Sequence, residues 1–155
     1  MKEFVKSFEY AFKGIAHTFI QERSLRFHIV FAAYMFSFLL IYDFFEVSKS
    51  DWIAIILSTV LVISAEIMNT AVENAVDLAT KEINPFAKMA KDASAGAVLV
   101  CAIGAVIVGV IVLWQPEAFE KMFAYYKEHI YMLFVLLISL VVSYFFIFKI
   151  FKKSK

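Results

Sequence analysis

Hydrophobic residues gather into four long stretches, over residues 27–45, 52–79, 93–114 and 130–150. A helix of about 20 apolar residues is long enough to cross the hydrocarbon core of a bilayer. Each stretch therefore predicts a transmembrane helix. The second stretch is divided in character: its first half is apolar or hydroxylic, whereas its second half carries Glu66, Asn69, Glu73 and Asp77.

The segment over residues 4–20 has a different pattern. Phe4, Phe8 and Phe12 recur at helical spacing together with Ile15 and Phe19, and charged or polar side chains fall between them. This spacing predicts an amphipathic helix that lies in the membrane interface. Packing against a partner protein is the alternative, and the membrane segments that follow favour the interface.

Composition agrees with a membrane protein. The chain has 155 residues, which favours one domain, and it is 63% hydrophobic, 19% charged and has a mean hydropathy of +0.79. A soluble domain of this size could not shield so much apolar surface from water. The net charge of +1 gives no indication of a nucleic-acid partner. The lone Cys101 excludes an internal disulfide, and the late first apolar stretch argues against a cleavable signal peptide.

Lysines and arginines predict the topology. They are concentrated before residue 27, in the 80–92 loop and at the carboxyl terminus, whereas the other two loops hold only Lys49, Lys121 and Lys127. The positive-inside rule then places both termini and the 80–92 loop in the cytoplasm. We expect a multi-pass protein of the cell (inner) membrane.

The polar residues of the second stretch share one helix face, because Glu66, Asn69, Glu73 and Asp77 are spaced by three, four and four residues. Ionisable groups in membrane segments are unfavourable and usually functional. A divalent cation such as Mg²⁺ would offset the repulsion between the carboxylates. The alternative is a stripe that lies in water and pairs with lysines, which suits Asp77 better than Glu66.

Two further polar segments flank this stripe. In the first, Glu22 either forms a juxtamembrane ion pair with Arg26 or joins the stripe to complete a metal site; the spacing leaves both open. His28 is interpreted as an interfacial side chain. In the second, Pro85 ends or redirects a helix, and Lys91 lies where an ammonium group can meet phosphate oxygens. The small residues 93–97 allow close approach of a helix or a flat ligand.

Together, residues 66–77 (EIMNTAVENAVD), the triplet at 90–92 (AKD) and the small-residue run resemble the prokaryotic diacylglycerol kinase family. Glu22 with Arg26 and the YAFKG segment at 10–14 match as well, so the resemblance covers roughly residues 4–114. It implies a homotrimer of three-span subunits with an N-terminal surface helix and composite sites at the cytoplasmic surface. Ser24 stands at a position where relatives often have an amide residue or another small residue.

The resemblance also implies roles for individual residues. Glu66 would be the base that accepts the proton of a lipid hydroxyl. Glu22 and Glu73 would hold Mg²⁺ and the phosphates of ATP. Four further residues would contact or border the nucleotide: Lys91, Asp92, Tyr10 and Asp77. Asn69 would support the site.

The expected fold is an all-α membrane bundle, with a kinase-like domain over residues 1–116 and an extra transmembrane helix and basic tail over 117–155. The fourth stretch has no acidic residue, so we expect a lipid-facing or packing helix, and truncation after about Glu120 should leave a folded, active enzyme.

The expected function is ATP-dependent phosphorylation of a lipid alcohol. ATP is in the cytosol and a lipid hydroxyl is at the interface, so the reaction must occur where the stripe meets the 80–92 loop. Phosphoryl transfer needs mainly positioning, charge neutralisation and a base, and neither a Walker loop nor a protein-kinase motif is present. Residues 84–88 (NPFAK), before the AKD triplet, resemble the undecaprenol-kinase branch of the family, which implies undecaprenol as the substrate with diacylglycerol as the alternative. A small transporter or channel would not explain the first helix or the loop lysines, and a non-catalytic assembly subunit is the third possibility.

Overall fold

The computed structural model describes residues 2–149, apart from the side chain of Lys2. Over that range the chain forms six α-helices: α1 (Lys2–Gln21), α2 (Arg23–Ile41), α3 (Lys49–Ala79), α4 (Pro85–Leu113), α5 (Pro116–Glu128) and α6 (Ile130–Phe148). By length and composition, α2, α3, α4 and α6 can each cross a membrane, whereas α1 is not such a candidate. The prediction of an all-α membrane bundle with an N-terminal surface helix and four spans is confirmed.

Local sequence explains where the two longest helices begin. Ser48 and Asp51 form a capping box at the start of α3, in which each side chain accepts a hydrogen bond from the other residue's backbone N–H. Asn84 caps α4 by accepting from the N–H groups of Phe86 and Ala87, and Pro85 occupies the first helical turn. The helix α4 thus begins eight residues before the apolar stretch that predicted it.

Helix α5 was not predicted, because residues 115–129 were interpreted as a loop. It begins at Pro116, which suits a first helical position, and Glu117 in the first turn and Lys127 in the last complement the helix dipole. Gln115 joins its start to the loop after α2, since the amide donates to the backbone oxygen of Glu46 at 2.9 Å and accepts from the N–H of the same residue at 3.0 Å.

The four membrane helices lie in the order α4, α3, α2, α6. Helices α3 and α4 make the most extensive contact, α2 packs on α3, and α6 packs on α2 and α5, while α1 contacts α2 and α3. Most large apolar side chains of α4 and α6 are exposed in the single chain, as expected of surfaces that meet lipid or other subunits. Among the residues whose burial the structure describes, 3–149, the buried polar ones are Thr18, Arg26, Glu66 and Thr70.

Candidate active site

Glu66 is buried in the half of α3 that faces α2, with 5% of its surface exposed. The hydroxyl of Ser24 donates a hydrogen bond of 2.8 Å to Oε2, and Nε2 of His28 lies 3.3 Å from Oε1. Ser24 and His28 are four residues apart on α2, so both point from one side of that helix. The two side chains therefore hold the two oxygens of the Glu66 carboxylate.

Sequence reasoning missed these two partners. Ser24 was noted only as a departure from relatives, and His28 was interpreted only as an interfacial side chain, whereas its ring contacts the buried carboxylate. One signal in the sequence could have revealed them: Ser24 and His28 are four residues apart, and this spacing places two polar groups on one helix face. What the sequence could not show is that this face of α2 packs against Glu66.

One helical turn further along α3, Asn69 links Glu73 to α4. Its Nδ2 donates to Oε1 of Glu73 at 2.9 Å, and its Oδ1 accepts from the hydroxyl of Ser94 at 2.6 Å. Within residues 2–149 the second oxygen of Glu73 accepts no hydrogen bond. The half-buried carboxylate is thus oriented through one oxygen while the other stays available to a ligand.

At the end of the stripe, Asp77 pairs with Lys91 across the loop that joins α3 and α4. The separation between Nζ and Oδ1 is 2.5 Å, and the side chains are 66% exposed for Asp77 and 35% for Lys91. Asp77 thus lies in water and pairs with a lysine, as the alternative interpretation of the stripe anticipated for it. Exposed pairs of this kind contribute about 0–1 kcal/mol, so Lys91 can leave Asp77 for another anion at little cost.

A polar cavity of about 570 Å³ opens beside this pair. Its walls come from the end of α3, the 80–84 loop and the first turns of α4, and they include Lys81, Lys88, Lys91 and Asp92. The lining also includes the carboxylates of Asp77, Glu82 and Asp92, so the charges balance, and the three ammonium groups can meet phosphate oxygens only as individual donors. Lys81 and Lys88 were counted in the sequence only for topology, and their position adds them to the candidate site.

The remaining predicted residues are less closely associated. Glu22 lies at the break between α1 and α2, where its backbone is extended (φ −102°, ψ 115°). Tyr10 is 67% exposed on α1, and Asp92 is exposed next to Lys91 on α4. Over residues 2–149, no three histidine, cysteine or carboxylate side chains converge on one metal position. The donor atoms of Glu22 and Glu73 are nevertheless the hard oxygens that Mg²⁺ prefers.

Comparison with known proteins gives the geometry its context. Residues 9–113 match the model of the family described as prokaryotic diacylglycerol kinase. The chain is 40% identical over 112 residues to the undecaprenol kinase of Bacillus subtilis (strain 168), covering 72% of this chain and 89% of that protein. It is 35% identical over 111 residues to a diacylglycerol kinase of Synechocystis sp., covering 71% of this chain and 62% of that one.

A third relative is the diacylglycerol kinase of Escherichia coli (strain K12), 33% identical over 111 residues, with 72% of this chain and 88% of the relative covered. The matched range ends where α4 ends, so α5 and α6 lie outside it. It includes Glu22, Glu66, Glu73 and Lys91. This chain therefore belongs to the prokaryotic diacylglycerol kinase family and is a multi-pass membrane lipid kinase.

Proposed function

We propose that the protein transfers the γ-phosphoryl group of ATP to the hydroxyl of undecaprenol at the cytoplasmic surface of the cell membrane. The observation that carries the chemistry is the buried Glu66 carboxylate, held through both oxygens on the α2 side of α3. Support for undecaprenol comes from the 40% identity to the Bacillus subtilis enzyme and from residues 84–88. Diacylglycerol, giving phosphatidic acid, is the alternative.

Glu66 acts as the general base in this proposal. Each carboxylate oxygen has two lone-pair positions, so the bonds from Ser24 and His28 leave room for the proton of the lipid hydroxyl. As the hydroxyl oxygen bonds to the γ-phosphorus, its proton passes to Glu66 and the bond to the ADP oxygen breaks. Ser24 and His28 fix the direction of the carboxylate, and such positioning is a large part of catalysis of phosphoryl transfer.

Glu22 and Glu73 would hold Mg²⁺, which neutralises phosphate charge when bound. Asn69 orients Glu73 through one oxygen and leaves the other for the ion. Lys91 would exchange Asp77 for a phosphate oxygen, an exchange made easy by the exposure of the pair. Asp92 and Asp77 would border the nucleotide from the loop side, and Tyr10 from the surface helix.

The proposal extends to the domain organisation, the oligomeric state and the membrane topology. Residues 1–116 form the kinase domain, and 117–155 form an addition that contains nearly all of α5, the extra membrane helix α6 and the basic tail. The protein is a homotrimer whose sites draw on neighbouring subunits, and both termini lie in the cytoplasm, as the lysine and arginine distribution indicates. The family match favours an enzyme over the transporter, channel or assembly-subunit alternatives.

The decisive experiment measures phosphorylation of both lipids by purified protein under matched bilayer conditions, resolved by thin-layer chromatography. Undecaprenol should give the higher kcat/KM, and omission of Mg²⁺ should abolish turnover with either lipid. Preference for diacylglycerol would reverse the substrate assignment. ATP hydrolysis that does not depend on any lipid alcohol would contradict the proposed reaction.

A further inference from the structure

One guanidinium group joins the ends of two helices that are far apart in the sequence. Nη1 of Arg26 donates to the backbone oxygens of Phe19 at 2.9 Å and Ile20 at 2.7 Å. Nε and Nη2 of the same side chain donate to the backbone oxygen of Ile147 at 3.2 and 3.0 Å. Arg26 is 3% exposed, so these bonds are made away from water.

Helix termini explain why an arginine fits here. The last four carbonyl groups of a helix have no partner within it and carry partial negative charge. Phe19 and Ile20 lie in the last turn of α1, and Ile147 lies in the last turn of α6. A guanidinium offers five N–H groups in a planar fork and can satisfy carbonyls from two directions, which the compact ammonium of lysine does less well.

The same junction carries a residue of the proposed site. Glu22 is the only residue between α1 and α2, and its backbone oxygen accepts from the N–H of Arg26 at 3.3 Å. A second contact ties α1 to α6, since the rings of Phe19 and Phe146 lie 5.8 Å apart. The position at which α1 leaves α2, and with it the position of Glu22, is therefore determined in part by α6.

We propose that α6 is an internal brace for the nucleotide–magnesium side of the site, and that Arg26 is the positioning residue that connects α6 to the α1–α2 junction. This inference rests on the proposed function of Glu22 in binding Mg²⁺ and ATP phosphates. Among the candidate membrane helices of residues 2–149, α6 is the one outside the family match, and the proposal assigns it a function. Arg26 has no direct contact with substrate in this proposal.

The first test is kinetic and uses the full chain. Arg26→Lys keeps the positive charge but cannot serve both helix ends, so the Mg²⁺ concentration for half-maximal activity should rise about tenfold, the scale of one lost hydrogen bond to a charged group. The maximal rate at saturating Mg²⁺ should stay within about twofold, because Glu66 is untouched. Tyr34→Phe is the matched control, since it removes a different α2–α6 contact and should titrate like the parent.

An unchanged Mg²⁺ titration in Arg26→Lys would overturn the proposal. Equal shifts in Arg26→Lys and Tyr34→Phe would overturn it as well, because they would show that any loosening of α6 has the same effect. A merely structural role would lower thermal stability without separating the Mg²⁺ requirement from the maximal rate.

The second test measures the contact between α1 and α6 by crosslinking, which needs no enzyme activity, and then measures the effect of the crosslink on the Mg²⁺ requirement. Cys101 is the only cysteine, so Phe19→Cys with Phe146→Cys in a Cys101→Ala background reports contact between α1 and α6 through a short thiol crosslinker. Crosslinking should be several-fold slower when Arg26→Lys is added, and the completed crosslink should restore the parental Mg²⁺ requirement to that variant. Equal crosslinking rates would refute the brace. Lack of lipid phosphorylation by the parent would instead refute the proposed function, because crosslinking does not depend on it.

Discussion

Helix α2 has two polar sides that act differently. The side towards α3 carries Ser24 and His28, which hold the carboxylate of Glu66. The side towards α6 carries Arg26, bonded to backbone oxygens, and Tyr34, whose hydroxyl lies 2.8 and 3.0 Å from those of Ser139 and Ser143. Polar groups in a membrane helix thus orient a reactive group on one side and attach a neighbouring helix on the other.

The two sides of α2 differ in whether the group bound there can still accept a proton. On the α3 side the acceptor is an ionisable side chain that retains lone pairs for a further proton. On the α6 side the hydrogen bonds of Arg26 go to main-chain oxygens and those of Tyr34 to serine hydroxyls, and neither kind of group ionises in the neutral range. The charge of Arg26 also interacts with the Glu22 carboxylate at the α1–α2 junction. Substitutions on the two sides should therefore separate into effects on rate and effects on packing or affinity.

The largest effect is expected at Glu66 itself. Glu66→Gln preserves size and one acceptor oxygen but replaces the other oxygen with a donor and removes the base, so turnover should fall at least about 100-fold. Nucleotide binding should be retained. Steady-state phosphorylation of the lipid, with nucleotide binding measured in parallel, checks this expectation. Near-normal turnover would show that another group accepts the proton.

The next effect should come from the side chains that hold Glu66. Ser24→Ala or His28→Ala each removes a contact to one oxygen of the buried carboxylate, and the rate should fall about tenfold, as for loss of a hydrogen bond to a charged group. His28→Gln keeps a donor in reach and should recover part of the loss. If both alanine variants turn over as fast as Tyr34→Phe, the two sides of α2 do not differ in function.

Glu22 and Glu73 should show a different kinetic change. Glu22→Gln and Glu73→Gln weaken hard-oxygen donors, so each should raise the Mg²⁺ concentration needed for half-maximal activity several-fold. The titration is compared with Glu120→Gln, an exposed carboxylate of α5 that lies outside the family match. Parental Mg²⁺ curves in both Glu22→Gln and Glu73→Gln would place the metal elsewhere.

Much of the fold was predictable from the sequence, because membrane helices are defined by long apolar runs. The four spans and the surface helix follow from apolar patterns alone. Helix α5 was missed because its mixed composition resembles that of a loop, and its position depends on the side chain of Gln115 reaching the Glu46 backbone. Such a contact between distant segments leaves no periodic pattern.

The site was predictable only in part, for a similar reason. The helical spacing from Glu66 to Asp77 predicts a shared face, but it does not reveal that Ser24 and His28 pack against one end of that face. The fourth span also appeared to lack polar chemistry. Its polar contacts with α2 are made by a backbone oxygen and two serine hydroxyls, and these groups hardly change the mean hydropathy of the segment. Truncation after about Glu120 would remove these groups, so any active fragment should need more Mg²⁺.

The smallest effect should come from the Tyr34 cluster. Interhelical hydrogen bonds in membrane proteins contribute about 0.6 kcal/mol on average, so Tyr34→Phe should lower stability by about that amount and leave the rate unchanged. Ser139→Ala with Ser143→Ala removes the same contacts from the other helix. The hydrogen bonds between Tyr34 and the serines are lost in either case. The variant that combines all three substitutions should therefore be no less stable than the less stable of Tyr34→Phe and the serine double variant. A double-mutant cycle of unfolding free energies measures this. Additive losses would show that Tyr34 and the serines stabilise the α2–α6 interface independently, through packing rather than through their shared hydrogen bonds.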